Sequence, residues 1–187
     1  MAIPINIEDL LNKRKIESNR IEFKKGWNPD KIYRTICAFA NDFDNIGGGY
    51  IVVGIEEEER TGIAKRPVTG VPIEALNDIQ KDMVGYNNKI EPYYMPRIDV
   101  QEVDGKSVLV IWAPAGVNRP YNVRERVTAK QSPSKWYIRS GTSTIEAKGE
   151  VLDELREMAN RTPFDERGNE RIEISDTVSY THLRAHE

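Results

Sequence analysis

Glu17, Glu22 and Lys24 crowd into one short stretch, and Glu56 closes an apolar run further along the chain. Carboxylates of this kind can take up Mg²⁺ or Mn²⁺ through hard oxygen ligands. A lysine beside them neutralises charge that develops on a phosphate. A metal-assisted, phosphodiester-cleaving centre built from Glu17, Glu22, Glu56 and Lys24 is one reading. The other is a solvated charged face on which Glu22 and Lys24 pair. With 30 acidic residues in 187, chance clusters are common, so spacing alone leaves both open.

The second candidate is a basic stretch. Between residues 115 and 140 lie Arg119, Arg124, Arg126, Lys130, Lys135 and Arg139, with Glu125 as the one acid, a local charge of +5 in a chain whose total is −3. Tyr121, Trp136 and Tyr137 are interleaved with them. Cations neutralise phosphates and exposed rings stack on unpaired bases, so this pattern points to nucleic acid. Trp136 and Tyr137 are strand neighbours facing opposite ways, so if one is core the other is outward or at a boundary. Arg139, just before Gly141, is a candidate phosphate contact.

Gly47, Gly48 and Gly49 invite comparison with a phosphate-binding loop. Such a loop runs from a strand into a helix N-terminus, whose free N–H groups and positive dipole end meet the anion. Here the order is helix, glycines, strand, and the Lys-Ser/Thr ending is missing. The triplet reads instead as a tight helix-to-strand reversal. The acids before the glycines, Asp42 and Asp44, crowd a negative helix end and are expected to be solvated.

The elements that must position these residues follow from periodicity. Asn6 caps a short helix with Ile7, Leu10 and Leu11 on one face. Ile21 and Phe23 alternate with Arg20, Glu22 and Lys24, as in a half-buried strand. Asn28-Pro29 opens a helix carrying Ile32, Ile36, Phe39 and Phe43. Tyr50 to Ile55 reads as a central strand buried on both faces. Pro72 starts a further helix through Leu76, Ile79 and Met83. Asp104-Gly105 marks a hairpin. A long loop is expected from residue 114 to 134, then a last strand at 136–139. Ser143 and Glu146 fit a capping box ahead of a final helix carrying Leu152 and Leu155. The order is mixed rather than strictly alternating, which predicts an α+β fold: a mixed β-sheet with flanking helices.

Composition narrows the field further. The single cysteine, Cys37, excludes an internal disulfide framework and a cysteine-cluster zinc site, and reads as a packed thiol. No run approaches the ~20 apolar residues that span a bilayer, and no secretory pattern opens the chain, so a cytoplasmic location is expected. Residues 1–160 read as one domain, 161–174 as a linker, and 175–187 as a non-native tail resembling a translated vector junction. Both histidines, His182 and His186, fall in that tail.

Glu17-x4-Glu22-Phe23-Lys24, Ala38-Phe39-Ala40-Asn41, Gly48-Gly49, Val53-Gly54-Ile55-Glu56 and Tyr137-Ile138-Arg139-Ser140-Gly141-Thr142-Ser143-Thr144 together resemble the Schlafen AlbA-like domain. The resemblance covers roughly residues 6–160. It implies an AlbA-like α+β fold and a nucleic acid (DNA or RNA) partner. It also implies the N-terminal position in a bacterial protein of the kinds labelled transcriptional regulators, RecG-like or ATP-binding, with further C-terminal domains. Three acids of the vertebrate relatives form a metal-dependent endoribonuclease site. The first two match Glu17 and Glu22, and the third, an aspartate there, is Glu56 here. Two lobes surround RNA in those relatives, so a homodimer is expected. The leading functional expectation is a nucleic-acid-binding module. The alternatives are a Mg/Mn-dependent endoribonuclease and an ATP-binding domain.

Overall fold

In the computed structural model, which describes residues 3–13 and 18–161, one helix organises the rest. Helix α2, Pro29–Asn41, follows α1 (Ile7–Leu11), a short 3-10 turn (Ser18–Arg20) and β1 (Ile21–Lys24). Its N-terminus is set as the sequence predicts: the Asn28 side chain accepts from Lys31 N, and Pro29 occupies the first turn. From Thr35 to its end every residue of α2 is buried. The helix is hidden because it packs against sheets on two sides. Its remaining water-facing strip consists of Pro29, Asp30, Lys31 and Arg34.

On one side of α2 lies a four-stranded sheet of order β1-β2-β5-β4, with β2 at Gly49–Val53, β4 at Arg97–Val103 and β5 at Lys106–Ala113. β1 runs parallel to β2 and the other pairs are antiparallel. Interior strand β2 is buried along its whole length, as its unbroken apolar sequence demands. Asp104 and Gly105, at φ 51° and 70°, close the β4–β5 hairpin with two left-handed residues, the geometry that matches strand twist. One face of this sheet, with Ile51, Val53, Leu109 and Ile111, packs on α2 and on helix α3, Ile73–Asn87. Tyr33 ties the two helices together by donating to Asn87 Oδ1 at 2.8 Å. The other face, with Phe23, Val52 and Val110, is covered by Leu10, Leu11 and Val68.

On the far side of α2 lies a second sheet, order β3-β6-β7-β8, made of Ile90–Glu91, Asn122–Arg124, Ser134–Ser140 and Ser143–Glu146. Helix α4, Glu150–Arg161, closes it through Leu155, which packs on Ile138. The α+β class and the flanking helices hold as expected. Among the described residues, no helix is long and apolar enough to cross a membrane.

Three local expectations are corrected. Ser143 and Glu146 do not cap a helix; they belong to β8, paired with β7 through a turn at Gly141 and Thr142. A Ser-x-x-Glu pattern also satisfies an alternating strand, and here the β7 edge supplies the partner. The 114–134 loop contains β6, whose three residues are too few to show a period. Asp42 is not solvated. It ends α2 in the left-handed conformation (φ 43°) and is buried. Its carboxylate accepts from the backbone N–H groups of Ile46, Gly47 and Gly48 at 3.0–3.1 Å. The linker and tail expected beyond residue 161 lie outside the described residues.

A candidate anion-binding groove

β1 presents Glu22 and Lys24 on its α2-facing side, because residues two apart on a strand share a face. Directly across, Lys31 and Arg34 project from the exposed strip of α2, one helical turn apart. The β7–β8 turn closes the third side with Thr142, Ser143 and Thr144. Thr35 and Tyr137 complete the wall of an open groove of about 360 Å³. Lys24, Lys31 and Arg34 outnumber the one carboxylate, and three threonines and a serine add neutral hydroxyl groups. Among the described residues, neither Lys31 nor Arg34 forms an ion pair. Arg34 donates Nε to the Asp30 carbonyl, which leaves its terminal nitrogens toward the groove. A second hollow of about 340 Å³ shares Lys31 and Arg34 and continues to Arg126, with Asp30 and Glu125 also in its wall. A polyanion is the natural complement of such a surface.

The floor is held by Arg139. Its side chain is only 7% exposed and bridges elements far apart in sequence. One terminal nitrogen donates to Glu22 Oε2 at 3.0 Å and to Thr144 Oγ1 at 2.9 Å. The other donates to the Thr142 carbonyl, and Nε to the Asn19 carbonyl. The guanidinium also lies 5.0 Å from the centre of the Phe39 ring. Arg139 therefore fixes Glu22 and the β7–β8 turn, rather than offering itself to a phosphate.

Other members of the basic stretch are likewise engaged. Tyr121 is 2% exposed, so it cannot stack on a base; it packs edge-on against Tyr94. Arg119 reaches the carbonyls of Asn41 and Asp42, placing its charge at the negative end of α2. Lys135 lies 2.6 Å from Glu125 and 3.3 Å from Glu146. That hydrogen bond holds the Glu125 carboxyl below its usual range and raises the lysine. Arg124 donates to the Lys130 carbonyl, and Arg126 lies 3.9 Å from Asp30. Of the six cations only Arg126 and Lys130 are exposed. The six cations of this stretch therefore do not form one continuous outward positive surface.

The carboxylates do not assemble a metal cage among the described residues. Glu22 has Lys24 on one oxygen at 2.5 Å and Arg139 on the other at 3.0 Å. Glu56, beyond the end of β2, pairs with Lys25 at 3.2 Å. Glu17 lies outside the described residues. No group of three His, Cys, Asp or Glu side chains suited to a metal occurs among those described. The glycine loop offers no phosphate cradle either, since Asp42 takes the N–H groups a phosphate would use. Its glycines answer to packing: a Cβ at Gly48 would fall 2.1 Å from the Ala113 carbonyl oxygen, and one at Gly49 would fall 2.3 Å from the Phe39 ring. Asn41, next to the loop, binds the Tyr121 and Tyr137 carbonyls and accepts from Tyr121 N, stitching the second sheet to α2.

With the two-sheet arrangement around α2 and the groove in view, comparison with family models decides the lineage: the Schlafen, AlbA_2 model matches residues 17–148. The chain belongs to the Schlafen AlbA_2 family. Two solved structures similar to this AlbA_2 chain are the DIP2311 protein from Corynebacterium diphtheriae and the N-terminal domain of a RecG-related protein from Nitrosomonas europaea. The first has 20% identity and a TM-score of 0.48, over 75% of this chain and 28% of that one. The second has 24% identity and a TM-score of 0.46, over 76% of this chain and 88% of that one. A comparison with curated proteins finds no match. Sequence reasoning found the Glu22–Lys24 face of the AlbA_2 groove but missed Lys31, Arg34 and Thr35. The available signal was a Lys and an Arg one turn apart on the polar edge of an amphipathic helix.

Proposed function

We propose that this AlbA_2 domain binds the phosphate backbone of nucleic acid in the groove between β1, α2 and the β7–β8 turn. The observation that carries the reading is the convergence of Lys24, Lys31 and Arg34 on a hydroxyl-lined groove, with the last two lacking ion-pair partners among the described residues. Family membership supports the same reading. Cations and hydroxyls contact phosphate and sugar, which positions the chain on its partner without reading bases. In a larger bacterial regulator, the domain would serve as the DNA- or RNA-binding N-terminal module. Fluorescence anisotropy with labelled duplex DNA and RNA at low salt tests this. Binding should weaken steeply with salt and be lost in the Lys31→Glu/Arg34→Glu variant. No binding at low salt, or full binding by that variant, overturns it.

A second reading is metal-dependent RNA cleavage using Glu17, Glu22 and Glu56 with Mg²⁺ or Mn²⁺. It is supported by the position of Glu22 beside Lys24 inside the groove. Its test is cleavage of structured RNA in Mn²⁺ by the wild type and by Glu22→Gln. Loss of cleavage with binding retained supports it, and equal cleavage by both ends it.

A further inference from the structure

Tyr137 is the one groove residue that backbone binding leaves unused. It is 5% exposed, and its ring packs in the buried cluster around α2. Its main chain is pinned there, because Asn41 Nδ2 donates to the Tyr137 carbonyl at 2.8 Å. Yet Tyr137 lines the groove, and its hydroxyl has no hydrogen-bond partner among the described residues. Among those residues the sealed, partnerless side-chain oxygens belong to Asn19 and Asn122, so the Tyr137 oxygen opens onto the groove. The neighbouring buried hydroxyls are accounted for. Thr35, 4% exposed, donates to the Lys31 carbonyl at 3.2 Å and lies 3.0 Å from Thr144 Oγ1, which accepts from Arg139 at 2.9 Å. Burial raises the pKa of the Tyr137 phenol, with Arg34 and Lys135 opposing, so it keeps its proton and is a donor at neutral pH. A donor held rigid and unused at the floor of a cationic groove calls for an acceptor.

The groove also has a direction. The β7–β8 turn bounds it at Thr142 and Ser143, whereas across Lys31 and Arg34 it runs into the hollow that reaches Arg126. Its volume of about 360 Å³ is on the scale of a site for one small ligand, not for a duplex. Its walls carry three cations, Lys24, Lys31 and Arg34, against Glu22, a net of +2. A phosphate within a strand brings one negative charge. A terminal phosphate brings nearly two, with three acceptor oxygens. A mid-strand phosphate must also draw chain down to the floor from both sides, while a terminal one enters from a single side.

On the premise of the nucleic-acid reading above, we infer that the groove seats the terminal phosphate of a strand, with the Tyr137 hydroxyl donating to it from the floor. Lys24, Lys31 and Arg34 meet its charge, and Thr142 and Ser143 close the blind end. The strand then leaves over the exposed strip of α2 toward Arg126. The two acids on that path are engaged, Asp30 by Thr128 and Glu125 by Lys135.

Anisotropy with single strands of about twelve nucleotides, labelled at the far end, tests this. Strands ending in a 5′-phosphate, in a 3′-phosphate or in hydroxyls alone are compared at one low salt concentration. A phosphate at one of the ends should tighten binding about tenfold over hydroxyl ends. Added charge alone gives part of such a gain, so the deciding variant is Tyr137→Phe, which keeps the ring and removes the donor. In it the ratio of phosphate-ended to hydroxyl-ended affinity should fall to about twofold, with the melting temperature showing that the fold is kept. Thr142→Ala/Ser143→Ala, on the exposed turn, is the second probe and should lower the same ratio. Equal binding of all three strands overturns the end inference and leaves the backbone reading standing. No binding by any of them overturns both. A ratio that survives both variants, or a free nucleoside monophosphate that competes with the affinity of the whole strand, also overturns the strand-end assignment.

Discussion

Two regions of this domain carry clustered positive charge and use it in opposite ways. Residues 115–140 are densely basic in sequence, yet Arg119, Lys135 and Arg139 are tied to helix-end carbonyls or to Glu125, Glu146 and Glu22. The groove draws Lys24 from β1 and Lys31 and Arg34 from α2, with no basic run to announce them. Its charges face water because α2 is buried everywhere except along that strip. The difference teaches that charge density along a chain is not field at a surface. A guanidinium with five donors serves equally well as an internal cross-link, and the fold decides which role it takes.

The sharpest way to break this comparison is to reverse charge in each region. Lys31→Glu/Arg34→Glu should weaken nucleic-acid binding about 100-fold or more, roughly 2.7 kcal/mol. Arg124→Glu/Lys130→Glu should change it by about threefold or less. Anisotropy titrations at one salt concentration read both, and the opposite ranking would restore the basic stretch as the binding surface. Next in size, Arg139→Met removes a buried partner of Glu22 and should lower stability by about 3 kcal/mol. Lys31→Met should lie within about 0.5 kcal/mol of wild type. Urea unfolding distinguishes them, and equal stabilities would mean that Arg139 is not the brace described.

The interior beneath the basic stretch should also show itself through pH. Burial pushes the Cys37 thiol from 9.0 up to about 12, against the Tyr121 carbonyl, and burial likewise raises Tyr33 and Tyr94. These groups stay neutral in the fold while the unfolded chain ionises. Their contribution is complete below about pH 9 and is lost progressively toward pH 12. Melting temperature should therefore fall over that window, and native Cys37 should resist thiol reagents at neutral pH. A flat profile would argue against a sealed interior. The smallest expected effect is a refinement: Lys31→Ala should reduce the slope of log affinity against log salt by about 1, and Lys130→Ala should leave it unchanged.

Much of the fold was legible because it is written in local pattern. Asn28-Pro29 placed the start of α2, Asp104-Gly105 placed the hairpin, and the unbroken apolar run of β2 placed it inside a sheet. Ser143–Glu146 misled because four residues satisfy a cap and a strand alike, and the strand won through pairing with β7. Asp42 misled for a related reason: a helix end repels a carboxylate until three N–H groups of a glycine loop receive it.

The sequence by itself determined the α+β class, the helix and strand starts, the shared face of Glu22 and Lys24, and the family. Only the tertiary structure decided which cations meet water. Periodicity fixes the direction of a side chain relative to its own element. The partner that neutralises or exposes it comes from another element, more than a hundred residues away in the case of Arg139 and Glu22, and no local pattern encodes that distance.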